Sequence, residues 1–182
     1  MTQLTAIGFI NVKVADEMDL CDSIQNMKLM RLLAIVVTNA EETLRMDALS
    51  SPPPNLRKLI LIGKLEKVPQ WFRSLQSLTN LHLHWSRLEE DLLPYIAALP
   101  HLGLLLLINA YVGQQLCFSI GFLKLTRLHI LHPKDLHLVV IWECFMKNDA
   151  EDYEFAQFAS KGSCFVWSSN SKYCLGFLVV VQ

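Results

Sequence analysis

The histidines and cysteines are the first places to look for chemistry. His82 and His84 stand two apart in "SLTNLHLHWSRL" (residues 77–88). On a strand this spacing puts both rings on one face, about 7 Å apart, because side chains alternate and each residue advances about 3.4 Å. His129 sits in a similar setting further along the chain. A zinc ion would need ligands converging to about 2.1 Å, and the pattern sets no acidic or cysteine side chain beside these rings. The cysteines are Cys21, Cys117, Cys144, Cys164 and Cys174, an odd and scattered set with no Cys-x-x-Cys. They form neither a zinc frame nor a disulfide framework, and they suit a reducing compartment. No Gly-x-Ser-x-Gly elbow occurs, and Cys164 has no evident base. Gly63-Lys64 lacks the upstream glycine and the following hydroxyl of a phosphate-binding loop. The expectation is a chain with no catalytic residues, no cofactor and no metal.

The leucines around the histidines carry more information. Leu78, Leu81 and Leu83 follow a frame of apolar, two residues, apolar, one residue, apolar. The same frame occurs as Leu4-Ile7-Phe9, Met30-Leu33-Ile35, Leu56-Leu59-Leu61, Leu102-Leu105-Leu107 and Leu125-Leu128-Ile130. The six copies start at 4, 30, 56, 78, 102 and 125, at intervals of 26, 26, 22, 24 and 23. A period in this range marks leucine-rich repeats. The last two apolar positions of each copy predict a short strand whose leucines turn inward. One repeat cannot bury that face alone, so neighbours stack and a parallel sheet grows by one strand per repeat. The predicted fold class is α/β: a leucine-rich repeat solenoid forming a short arc, with the parallel sheet on the concave face and irregular helices on the convex face. Leu20, Ile24 and Met27, then Val68, Trp71, Phe72 and Leu75, then Leu93, Ile96 and Leu99 predict apolar return segments. Trp71 and Phe72 are expected in the core. Pro69, Pro94 and Pro100 favour short helical returns. Asn11 and Asn109 lie near the position where such repeats place an asparagine whose amide bonds the turn.

The residues between the inward leucines define a candidate binding face. It comprises Lys58, Ile60, Ile62, Asn80, His82, His84, Trp85, Leu104, Leu106, Ile108, Arg127 and His129, with Leu32, Val36 and Leu131 continuing it. An apolar surface of this extent points to a protein partner.

Composition is consistent with such a module. The chain has 182 residues, 52% of them hydrophobic, and a net charge of −1, with no basic excess for nucleic acid and no acidic tail. The runs Glu89-Glu90-Asp91 and Glu151-Asp152 are expected as solvated surface. The first residues, MTQLTAIGFINVKV, lack the features of a secretion signal, and no Asn-x-Ser/Thr acceptor occurs. The apolar runs at 102–108 and 175–181 are too short for a membrane span of about 20 residues. A cytoplasmic location is expected. The array is assigned to 1–146 and begins without a polar cap, as expected for a piece of a longer protein. Residues 147–182 form a non-repeat tail. Within it, CFVW and LGFLVVV have β-type composition, and either could pair with a sheet edge as a cap, or the tail could stay partly disordered.

The stretch "PPPNLRKLILIGKLEKVPQWFRSLQSLTNLHLHWSRLEEDLLPYIAALPHL" resembles the leucine-rich repeat region of plant coiled-coil type nucleotide-binding disease-resistance proteins. Its proline-tryptophan return, at Pro69 and Trp71, separates it from generic repeats, and "QLCFSIGFLKLTRLHIL" is similar to a later repeat of that group. The resemblance covers roughly residues 1–146. It implies a protein-binding recognition and autoinhibition region of an intracellular immune receptor. The implied partners are a pathogen effector, a host protein, or a nucleotide-binding switch domain that this chain does not contain. The other expectations are a free-standing repeat adaptor, such as a ubiquitin-ligase substrate reader, and a truncated, non-functional receptor remnant.

Overall fold

A computed structural model describes residues 5–39, 42–118 and 121–131 in full, and the backbone of 138–141, 157–158, 164–168 and 177–180. Leu4, Glu151-Asp152 and most of the 147–182 tail lie outside the described residues. The strands are β1 (Ala6–Val12), β2 (Leu32–Val37), β3 (Thr43–Leu44), β4 (Lys58–Ile62), β5 (Lys64–Leu65), β6 (Asn80–His84), β7 (Leu104–Ile108), β8 (Gln115–Phe118), β9 (Arg127–Leu131), β10 (Leu138–Ile141), β11 (Gln157–Phe158), β12 (Cys164–Ser168) and β13 (Phe177–Val180). Two short helices, α1 (Glu17–Gln25) and α2 (Leu93–Ile96), and two 3-10 turns, Val14–Asp16 and Gln70–Ser74, lie between strands.

The six copies of the frame yield β1, β2, β4, β6, β7 and β9, which lie side by side in that order in a single sheet that β12 and β11 extend. The first six strands run parallel, and their register follows the frame. Ile7, Leu33, Leu59, Leu81, Leu105 and Leu128 pair strand by strand, as do Phe9, Ile35, Leu61, Leu83, Leu107 and Ile130. From β4 to β7 burial alternates residue by residue, with the frame leucines inside. The first position of the frame is also buried, at Met30, Leu56, Leu78, Leu102 and Leu125.

Strand entry is fastened the same way in successive copies. The carbonyl of Arg31 accepts the N–H groups of Arg57 and Lys58 (2.8 and 2.9 Å), and that of Arg57 accepts Thr79 and Asn80 (2.8 and 3.0 Å). The carbonyl of Thr79 accepts Gly103 and Leu104, and that of Gly103 accepts Thr126 and Arg127. Each coil thereby satisfies the backbone of the next, as a buried ladder requires.

The returns close the core from the other side. Pro69, at φ −60° and ψ 130°, starts the turn that carries Trp71 and Phe72 inward. Both are buried, as expected, and their rings meet edge-on at 4.9 Å. Trp71 Nε1–H donates to the Met46 carbonyl at 2.9 Å, which ties this return to the previous one. Leu20, Ile24, Val68, Leu75, Leu93, Ile96 and Leu99 join the same apolar core. Two smaller sheets lie outside the main one: β3 pairs with β5, and β10 stands between β8 and β13. In the main sheet, β12 pairs antiparallel with β9, Cys164 opposite Leu131 and Ser168 opposite Arg127. No helix among the described residues is long and apolar enough to cross a membrane.

Candidate functional site

The side chains between the inward leucines form the outward face of the sheet in three rows. The entry row is Leu32, Lys58, Asn80, Leu104 and Arg127. The middle row is Ala34, Ile60, His82, Leu106 and His129, and the exit row is Val36, Ile62, His84, Ile108 and Leu131. All are half-buried except Arg127, which is exposed. Eleven of the twelve residues expected on the face are therefore brought together here.

Trp85 is the exception. Strict alternation from Leu83 would send it inward, yet it is 37% exposed. The reason is its backbone, which turns left-handed at φ 60°. Gly63 and Asn109 hold the same position after their strands, at φ 147° and 47°. Glycine and asparagine accept positive φ readily, whereas tryptophan adopts it at a cost. The asparagine expected to bond the turn through its amide thus serves it through its backbone: Asn109 N–H donates to the Leu131 carbonyl at 2.9 Å.

His82 and His84 do share a face. Their rings are nearly parallel, 7° apart in plane, with centroids separated by 6.2 Å. Among the described residues no three His, Cys, Asp or Glu side chains gather as a metal site would require. Burial pushes the His82 imidazole down from 6.5 to about 4, assisted by the nearby charges of Lys58, His84 and His129. His84 is lowered by burial, and His129 by burial and then by Arg127. At neutral pH the three rings are uncharged, so the middle of the face is apolar in electrostatic terms as well. The Nε2 atoms of His82 and His84 are sealed off without a hydrogen-bond partner among the described residues.

Elsewhere, Cys21 is a free, buried thiol whose pKa burial raises to about 11, with Glu17 and Asp22 adding to the effect. Cys117 is free and exposed. The run Glu89-Glu90-Asp91 is not merely solvated surface. Glu90 is half-buried, accepts the Val68 N–H and meets the Tyr95 hydroxyl at 3.4 Å. Asp91 accepts the Leu93 N–H at 2.9 Å, at the start of α2. Apolar spacing carries no signal for the partners of Glu90 and Asp91, nor for Arg31 and Arg57, both exposed, which stand one residue ahead of the entry row.

A parallel sheet built from a repeated leucine frame, with short helical returns, defines a leucine-rich repeat protein of the α/β class. The chain matches the leucine-rich repeat region family over residues 1–164 and belongs to it. It is similar to the "Disease resistance protein RPM1" of Arabidopsis thaliana, with 43% identity over 141 residues. That alignment covers 78% of this chain and 15% of the relative, so the chain spans a small part of that protein's length. The resemblance to plant disease-resistance repeats is thereby confirmed. No solved structure matches the chain significantly.

Proposed function

We propose that this chain is a non-catalytic protein-binding module of a plant immune receptor and acts in the cytoplasm. Residues 1–146 would form a short solenoid arc with the outward face of the sheet on its concave side. The tail, 147–182, would cap the sheet through Cys164–Ser168. The partner would be a pathogen effector, a host protein, or a nucleotide-binding switch domain. The observation that carries this reading is the run of half-exposed apolar side chains in the middle and exit rows, Ile60, Ile62, Leu106 and Ile108. These side chains remain partly in water although the same strands seal Leu59, Leu61 and Leu105 completely. Unpartnered apolar surface of this kind marks an interaction site.

Ile60→Asp and Leu106→Asp test the reading. Circular dichroism and thermal melting should show both variants folded, with melting temperatures close to that of the unchanged chain. Collapse of either variant would make the outward row part of the core and end the binding-face reading.

A further inference from the structure

The charges on this molecule are segregated by segment. No Asp or Glu occurs in residues 28–36, 54–62, 76–84, 100–108 or 121–131, the stretches that enter and form β2, β4, β6, β7 and β9. Every acidic side chain of the described residues stands elsewhere, chiefly on the returns. There, acids are engaged with backbone or cations: Glu17 accepts the Asp47 N–H, Glu90 accepts the Val68 N–H, and Glu66 and Asp47 pair with Arg45 and Lys67. The strand-entry rim carries Lys28, Arg31, Arg57, Lys58, Lys124 and Arg127. All but the half-buried Lys58 are exposed, and none forms an ion pair among the described residues.

These cations fall in two groups. Lys28 and Arg31 lead into β2, and Arg57 and Lys58 into β4, while Lys124 and Arg127 lead into β9. Between them the stretches entering β6 and β7 bring no Lys or Arg: their polar residues are Gln76, Ser77, Thr79, Asn80 and His101. From β4 to β9 is three strand steps, about 14 Å at ~4.8 Å per step. Two residues further along, about 7 Å, lies the middle row of Ile60, His82, Leu106 and His129.

We propose that this face binds a protein segment in which two acidic residues, about 14 Å apart, bracket apolar side chains. This rests on the binding-face reading above and adds to it the chemistry of the partner. The acids sit on the two cationic groups of the entry rim, and the apolar side chains cover Ile60, Leu106 and the uncharged imidazoles. In an extended segment, 14 Å corresponds to about four residues. A nucleic acid or an anionic membrane would satisfy the cations but would leave the aliphatic middle row against phosphate or sugar. Charge complementarity together with an apolar centre therefore favours a protein segment.

The test is selection from a phage-displayed random peptide library on the folded chain, followed by fluorescence anisotropy with the selected peptides synthesised. Selected peptides should carry Asp or Glu on both sides of aliphatic residues, and binding should weaken as salt rises. Arg57→Glu and Arg127→Glu should each weaken binding by about tenfold, whereas Lys64→Glu, exposed at the strand-exit side, should leave it within about twofold. Peptides without acidic residues that are still lost on Leu106→Asp would overturn the proposed chemistry while leaving the binding face standing. Peptides indifferent to Leu106→Asp, or no selectable binding, would overturn both. Equal or tighter binding of a single-stranded oligonucleotide or of anionic lipid vesicles, abolished by the same arginine substitutions, would replace the proposal with a phosphate-binding surface.

Discussion

The first coil and the central coils are written in the same frame but reach different ends. In β4, β6 and β7 the inward leucines are completely buried, because each strand has a paired neighbour on both sides. β1 stands at the edge of the sheet, and its Ile7 and Phe9 are only half-buried. Ile10 and Met18 nearby are 73% and 64% exposed. Strand pairing is no less regular there at first, since Ala6 to Phe9 pair in step with Leu32 to Ile35 before the register shifts. The difference shows that in a repeat array burial belongs to the interface between coils rather than to the coil itself.

Truncation should expose the contrast most strongly. Leu81→Ala empties a fully enclosed site and should lower stability by about 2–5 kcal/mol, whereas Ile7→Ala at the edge should cost less than about 1 kcal/mol. Urea unfolding of the two variants side by side reads this directly, and equal losses would break the comparison.

Gly63 probes how closely neighbouring coils are locked. A methyl group there would lie 2.6 Å from Val37 Cγ2 in the preceding coil, on a backbone already at φ 147°. Gly63→Ala should therefore destabilise by about 1–3 kcal/mol. A melting temperature unchanged by this substitution would mean that the coils tolerate sliding.

The third prediction concerns acid. Burial in the central coils keeps His82 from taking a proton until about pH 4, while the unfolded chain takes one near 6.5. Between those values the unfolded state binds more protons, so stability falls as pH drops from about 6.5 to 4 and this contribution levels off below that. His82→Leu should flatten the decline in urea midpoint across that window. His84 and His129, both lowered in the same direction, should leave a residual slope. A decline of the same steepness in the variant would show that His82 is not responsible.

The smallest effect is expected at Ser86, a fully buried side chain in the turn after β6 whose hydroxyl has no partner among the described residues. Removing an unsatisfied polar atom relieves its desolvation, so Ser86→Ala should be neutral or stabilising by up to about 1 kcal/mol. A marked loss of stability would reveal a partner for the hydroxyl and sharpen the account of the central turns.

Much of the fold was legible because apolar spacing is a local property. Leu59, Leu81, Leu105 and Leu128 follow from the frame alone, and the burial of Trp71 and Phe72 follows from the apolar spacing of the return at residues 68–75. Much of the candidate face follows too, since alternation along a strand places Ile60, His82 and Leu106 opposite the leucines. Trp85 is exposed, as a residue of the face would be, although alternation along the strand does not predict it: its backbone turns left-handed at φ 60° and its N–H donates to the Ile108 carbonyl of the next repeat. Glu90 was misjudged because its partner Val68 belongs to the previous return, 22 residues away.

By itself the sequence determined the frame, and with it the strands, their inward faces and their order along the array. The physical reason is that apolar side chains at fixed offsets leave water together whatever their neighbours are. Only the tertiary structure decided which coil is sealed and which stays open, which acids bond a neighbouring return, and where the cations of separate repeats meet along one rim. Those outcomes depend on contacts between residues some twenty or more positions apart, and such contacts exist only once one coil has settled on the next.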